Sequence, residues 1–303
     1  MNRQLMWMTV VGLLGLAQVA AAPRATGAPH RNFTPQEQAL LRSRLLEAGV
    51  DGGLVAGLRL DTLRCYPGRL RLNLDYNVKQ GSYAQYMEPA TVQRLKDFIH
   101  RERELFRAAE EKHGVPAEVL GSILMVETRL GDNTGQFRAP DLFLTLMLHE
   151  GATQDAALDS AVARESRFGG SRGRAELAEI IRGKAVERAR WATKEIRSIS
   201  QLIPLQDWDT LPCSYAGAIG LPQFMPTSLA AYGDDGDGNG RVELIKLDDA
   251  VYSVGRYLKE NGWRGRMTAD KRFKAIRRYN HSDVYARTVL KLARAVGLPD
   301  AGR

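Results

Sequence analysis

The chain has 303 residues and a mass of 33.6 kDa, with 44% hydrophobic and 26% charged residues. That composition excludes a disordered or collagen-like chain and leaves room for one large domain or two modest ones. A formal charge of +8 favours polyanionic partners or an anionic wall or membrane surface, and two cysteines are too few for a disulfide scaffold or a Cys-ligated zinc site.

Residues 1–22 read as an export signal. Arg3 supplies the positive start, Leu5 to Val19 the apolar run, and Val19-Ala20-Ala21-Ala22 the small residues at a cleavage site. An N-terminal anchor helix is the weaker reading, because the run is short for a span of about 20 residues. No cysteine near the site offers a lipid attachment point. Export predicts a soluble, periplasmic mature chain with no membrane span, which removes nucleic acid as a partner. It also leaves Cys65 and Cys213 as either a disulfide or two buried thiols.

Residues 22–32 read as a flexible leader. Thr34, Pro35 and Glu37 then form a capping-box start for a helix carrying Leu40, Leu41, Leu45 and Leu46. Between Gly52 and Gly81 the glycines and the alternation Leu70-Arg71-Leu72-Asn73-Leu74 suggest a short strand pair or an irregular connection. Pro89 opens one helix through Val92, Leu95, Phe98, Ile99, Leu105 and Phe106 to Gly114.

Pro116 opens another, ending at Gly131. Helical spacing places Leu120, Ile123, Leu124 and Glu127 on one face of it. A carboxylate on an apolar stripe is costly as an anion, so its pKa rises, and a carboxyl still protonated near neutral pH is a general acid. The plainer reading of the helix alone is a Glu paired with Arg129 or another cation. A basic, alanine-rich helix follows over about residues 174–203, most simply a solvated face.

The segment Ser214-Tyr215-Ala216-Gly217-Ala218-Ile219-Gly220-Leu221-Pro222-Gln223-Phe224-Met225-Pro226 is built of small residues bracketed by proline. Ser214, Gln223 and backbone amides are hydrogen-bonding groups for hydroxyl and acetamido substituents, and Tyr215 and Phe224 offer faces for sugar rings. Taken alone it reads equally well as a tight turn between helices. Next, Asp235, Asp237 and Asn239 occupy positions one, three and five of an EF-hand-like loop, with Gly240 at six. Arg241 would give its carbonyl at seven and Glu243 falls at nine, but Lys246 stands at twelve where an acid belongs. The alternatives are weak calcium binding or a metal-free turn. Helices around residues 248–260 and 282–296 close the chain.

Four segments occur in a fixed order: Met125-Val126-Glu127-Thr128-Arg129-Leu130-Gly131, the Ser214 to Pro226 segment, the acidic loop, and Tyr279-Asn280-His281-Ser282-Asp283-Val284-Tyr285. Together they resemble the lytic murein transglycosylase B family of bacterial cell-wall enzymes over roughly residues 83–295. The resemblance implies a mainly α fold, with a goose-lysozyme-like helical core, an accessory helical domain and an EF-hand-like loop at 235–246. The segments expected on that basis are a signal at 1–22, a leader and accessory region at 23–82, the first part of the core at 83–150, an accessory helical insertion at 151–205 and the rest of the core at 206–303.

The resemblance also implies that Glu127 is the catalytic acid/base and that Ser214, Gln223, Tyr279 and Asn280 line a saccharide groove. No cofactor would be required, and a structural calcium would be the one ion. The expected reaction cleaves the bond between N-acetylmuramic acid and N-acetylglucosamine in peptidoglycan and leaves a 1,6-anhydro end. The alternatives are a lysozyme-type hydrolase, which a second carboxylate opposite Glu127 would favour (Asp132 and Asp141 are near in sequence, but nothing marks either as that partner), and a non-catalytic wall-binding module. The partners expected are peptidoglycan strands, with cell-wall synthesis or division proteins as candidates, and the chain would act as a monomer.

Overall fold

Helices dominate the computed structural model, which describes residues 29–69, 83–149, 162–163, 173–265 and 267–300. The signal, its cleavage site and the alternating stretch at 70–74 lie outside the described residues. In chain order the helices are α1 (Pro35–Glu47), α2 (Gly52–Gly57), α3 (Pro89–Arg101), α4 (Arg103–His113), α5 (Ala117–Thr128) and α6 (Ala139–Met147). They continue with α7 (Arg174–Leu202), α8 (Pro226–Tyr232), α9 (Leu247–Glu260), α10 (Ala269–Tyr279) and α11 (Asp283–Val296). None of the described helices is long and apolar enough to cross a membrane.

The chain divides into two compact units. The described residues of the first come from Val78–Gly135 and Cys213–Arg303, those of the second from Ala22–Asn77 and Gln136–Pro212. Residues 136–149, within the 83–150 segment expected from sequence in the core, therefore fold with the second unit. The reason is local: α6 packs along α7, with the Phe143 ring edge-on to Trp191 at 5.5 Å, and the Ala139 N–H donates to Leu211 O at 2.9 Å.

In the second unit, the capping box at Thr34 and Glu37 starts α1, and Arg31 grips the Glu37 carboxylate through both guanidinium nitrogens at 2.6 Å. Only Leu41 and Leu45 of its leucines are buried; Leu40 and Leu46 stay exposed. The short strands β1 (Arg31–Asn32) and β2 (Arg64–Cys65) pair antiparallel. Cys65 and Cys213 are each buried in their own unit, as the reading of two buried thiols has it.

In the first unit, the single helix expected from Pro89 to Gly114 is two, broken at Glu102, where the backbone leaves the helical region (φ −97°, ψ 23°). Gly114 ends α4 with φ +71°, a conformation open to glycine without a Cβ clash. The next helix, α5, is apolar all round and not striped: Val119 to Val126 are all buried. It runs between α3, α4, α9 and α11. Gly121 sits where α3 crosses; a Cβ there would lie 3.0 Å from Leu95 and 3.1 Å from Ile99. Each Leu or Ile removed from water along α5 stabilises the unit by about 1.5–3 kcal/mol.

Candidate active site

Glu127 lies in the last turn of α5 and is the one residue from Val119 to Thr128 that is not buried; it is half-buried. An ionised carboxylate at the end of a buried helix loses most of its water. Burial therefore pushes the Glu127 carboxyl up to about 7, opposed by one hydrogen bond from Tyr285. The Tyr285 hydroxyl donates to Glu127 Oε1 at 2.7 Å. Among the described residues no cation holds Glu127, and Arg129 is not paired with it. Asp132 is bound bidentately by Arg94, and Asp141, in the second unit, is bound by Arg138 at 2.5 Å.

The helix end beside Glu127 is strained. Arg129, Leu130 and Gly131 have φ of +54°, +61° and +100° in succession, so α5 stops at Thr128 and not at Gly131. Non-glycine residues hold such a conformation only when neighbours impose it. Here Leu130 N–H returns to Leu124 O at 3.1 Å, Arg94 donates to Arg129 O at 3.1 Å, and Thr128 Oγ1 donates to Leu221 O at 3.0 Å. The last bond ties the turn after Glu127 to the Ser214–Pro226 segment.

Four tyrosines gather at the carboxyl. Tyr285 is in the first turn of α11, whose N-cap Ser282 accepts its N–H. Tyr279 ends α10 and stacks parallel to Tyr285, with centroids 6.4 Å apart and planes within 2°. Tyr86 donates to Val126 O at 3.0 Å, beside Glu127, and the Tyr83 ring lies 6.0 Å from that of Tyr86. Burial first and the Glu127 charge second raise the pKa values of Tyr83, Tyr279 and Tyr285, which keeps them neutral donors.

The loop residues divide into two groups. Gln223 sits at φ +52°, half-buried, with Nε2 donating to Gly220 O at 3.0 Å, and the Tyr279 hydroxyl donates to Pro222 O at 2.5 Å. Tyr279 thus bonds to the residue before Gln223 and stacks on Tyr285, which bonds to Glu127. Asn280 follows Tyr279, is buried, and its Oδ1 has no partner among the described residues. Ser214 is half-buried and accepts the Ala218 N–H at 3.1 Å, which closes its own turn, and Tyr215 is half-buried. Phe224 departs from expectation: it is buried against Tyr257 and Tyr279, at 5.7 and 5.8 Å, and presents no face to a sugar.

Sequence reasoning missed Tyr83, Tyr86 and Tyr285 as neighbours of Glu127. Tyr285 stood at the end of a motif already singled out, and Tyr83 and Tyr86 share an i, i+3 spacing just before Pro89. Periodicity alone could not bring them to a helix 40 to 160 positions away.

At the acidic loop, carboxylate oxygens of Asp235, Asp237 and Asp249 lie within 4.8 Å of one another. Asp249 comes from the first turn of α9 and takes the place left by Lys246; it also accepts Gly236 N–H at 2.8 Å and Glu243 N–H at 2.6 Å. Glu243 is drawn to Lys246 Nζ at 2.7 Å, so it is not part of this cluster, and Asn239 Oδ1 accepts the Arg241 N–H. Burial first, and then the charges of Asp237 and Asp235, raise the Asp249 pKa. Three hard oxygen donors fit calcium; Lys246, 3.6 Å from Asp237, is a competing cation.

Residues 76–270 match the family model described as Transglycosylase SLT domain. The chain is 30% identical over 181 residues to the Escherichia coli (strain K12) membrane-bound lytic murein transglycosylase B; the match covers 59% of this chain and 40% of that relative's length. Among solved structures it resembles the soluble lytic transglycosylase SltB1 of Pseudomonas aeruginosa, with 26% identity, a TM-score of 0.63 and coverage of 86% of this chain and 98% of that one. It also shares the fold of the Escherichia coli lytic transglycosylase Slt35 in complex with calcium, with 22% identity, a TM-score of 0.60 and coverage of 86% and 92%. The chain belongs to the Transglycosylase SLT domain family.

Proposed function

We propose that the protein is an exported, periplasmic lytic transglycosylase that cleaves the bond between N-acetylmuramic acid and N-acetylglucosamine in peptidoglycan, with Glu127 as its single acid/base. The observation that carries this reading is one carboxyl, part-open to solvent at the end of a buried helix, with its pKa raised to about 7 and no cation partner among the described residues. Family membership and the likeness to named lytic transglycosylases support the same reaction class.

In this reading the protonated Glu127 donates to the glycosidic oxygen as that bond breaks. The substrate's acetamido group stabilises the positive anomeric carbon. The Glu127 anion, held by the Tyr285 hydroxyl, then takes the proton of the muramyl C6 hydroxyl, whose oxygen bonds to the anomeric carbon. The proton returns to Glu127 and a 1,6-anhydro ring forms without water. Intramolecular attack supplies the proximity that a water molecule lacks. A hydrolase of the usual kind carries a second carboxylate beside the acid. The two acids near in sequence, Asp132 and Asp141, are each committed to an arginine. Gln223, Tyr279 and Asn280 line the saccharide groove, and the +8 charge suits a wall whose peptides carry carboxylates.

The acidic loop has a structural part in this reading. Calcium held by Asp235, Asp237 and Asp249 would neutralise three crowded carboxylates and pin the loop to α9; it takes no part in the chemistry. Incubating purified peptidoglycan with the wild type and with Glu127→Gln tests the proposal. Wild-type release of soluble fragments and none from the folded variant is the expected result; equal release by both contradicts it.

A further inference from the structure

The positive charge of the chain is not spread evenly. α10 and α11 together hold eight Lys or Arg side chains and two Asp, a surplus of six in a chain whose formal surplus is eight. α3 and α4, of similar length, hold six against four. Helical packing decides where the surplus lies. With Tyr285, Val289 and Leu292 of α11 buried, Val284, Arg287, Lys291 and Arg294 form one exposed row at helical spacing. With Ala275 and Ile276 of α10 buried, Lys271, Lys274, Arg277 and Arg278 are exposed.

Both acids of these helices are already paired. Asp270 holds Lys274 at 2.7 Å, and Asp283 holds Arg277. Arg272 is buried and donates to Pro299 O at 2.7 Å. Lys271, Arg287, Lys291 and Arg294 are exposed and have no carboxylate partner among the described residues. Two contacts join the helices side by side. Arg277 reaches across to Asp283, and the Arg287 guanidinium lies over the half-buried Phe273 ring, 5.1 Å from its centroid. Stacking restrains that guanidinium, so it loses less freedom when it takes a carboxylate.

The face adjoins the Glu127 site through the chain itself. α10 ends in Tyr279, and the first turn of α11 carries Tyr285, whose hydroxyl donates to Glu127. Arg287 follows Tyr285 by two residues, and Arg287 to Arg294 covers roughly 10 Å of helix. Neighbouring cations in this row lie within a Debye length of about 8 Å, so they act together on an incoming anion. A flat lipid surface resting here would crowd the approach to Glu127. A strand seated at Glu127 instead continues past it and carries its substituents over the adjoining surface.

We propose that the exposed face of α10 and α11 captures carboxylates of the peptide stems on a glycan strand seated at the Glu127 site, with Arg287, Lys291 and Arg294 as the principal contacts. This rests on the reading of the protein as a peptidoglycan-cleaving enzyme. The face holds the strand and takes no part in the chemistry.

The test is co-sedimentation of the full chain, carrying Glu127→Gln to prevent cleavage, with purified sacculi and with sacculi whose carboxyls have been converted to amides. The triple variant Arg287→Gln, Lys291→Gln, Arg294→Gln is expected to bind intact sacculi about tenfold or more weakly. A control triple, Arg190→Gln, Lys194→Gln, Arg197→Gln, removes the same charge from exposed positions of α7 and is expected to bind as the parent does. Amidated sacculi are expected to bind weakly and alike to all three. With Glu127 restored, the α11 triple is expected to raise KM and leave kcat unchanged. Equal binding by the two triples, undiminished binding of amidated sacculi, or a loss confined to phosphatidylglycerol vesicles would overturn the proposal. Failure of the wild type to release fragments would strike the reading of Glu127, and the sacculus-binding comparison reads this face separately.

Discussion

Tyr285 and Glu127, 158 positions apart in sequence, meet in a hydrogen bond of 2.7 Å from the tyrosine hydroxyl to the carboxylate oxygen. The bond is the one interaction that lowers the Glu127 pKa against the burial that raises it. Removing it in Tyr285→Phe leaves burial unopposed, so the pKa rises. A reaction that starts from protonated Glu127 then keeps its rate to higher pH, while kcat falls because the anion formed in the first step loses its donor. The pH profile of kcat reads both effects; an alkaline limb that stays in place would mean that Tyr285 does not act on Glu127.

Glu127 also links stability to pH. Its folded pKa of about 7 stands above the ordinary value of 4.5. The folded state therefore prefers the protonated form. This contribution is fully present below about pH 4.5 and is lost as pH rises through 7. Gln has no charge to bury and can still accept from Tyr285. Glu127→Gln should be more stable than the wild type by about 2–3 kcal/mol at pH 8, and little different at pH 4.5. Denaturant melts at the two pH values check this; a pH-independent difference would contradict it.

Gly220 shapes the loop that carries Gln223. Its φ is +68°, and a Cβ there would lie 2.4 Å from Leu244 Cβ and 2.5 Å from Leu244 O. Gly220→Ala should cost about 2–4 kcal/mol and reduce activity more than Ser214→Ala, which removes only one turn bond. Thermal melts and turnover on peptidoglycan measure both.

The acidic loop gives a test with an internal control. If Asp249 replaces the missing twelfth-position acid, Asp249→Asn should abolish any rise in Tm with calcium. Lys246→Glu removes the competing cation and should enlarge that rise. The same calcium response in all three proteins would show that the loop binds none.

Much of the helical framework was legible in local chemistry. The Thr34–Glu37 capping box, Gly114 and the long basic helix are read from residues within a few positions of one another. Glu127 was legible as a misplaced charge in an apolar helix. What could not be read was whatever depends on distant segments. Nothing near Glu102 announces the break between α3 and α4. α10, which delivers Tyr279, was not anticipated although its apolar residues keep a helical period like that of α3 and α4. Phe224 looked like a sugar platform because composition cannot tell a groove wall from a core ring. Asp249 joins Asp235 and Asp237 because the start of α9 folds back over the loop.

The most direct test of the central claim is the mass of the muropeptides released from purified peptidoglycan by the wild type, with Glu127→Gln alongside. The account predicts products one water lighter than reducing muropeptides, and none from the variant. Reducing products from the wild type, or lighter products from the variant, would contradict it.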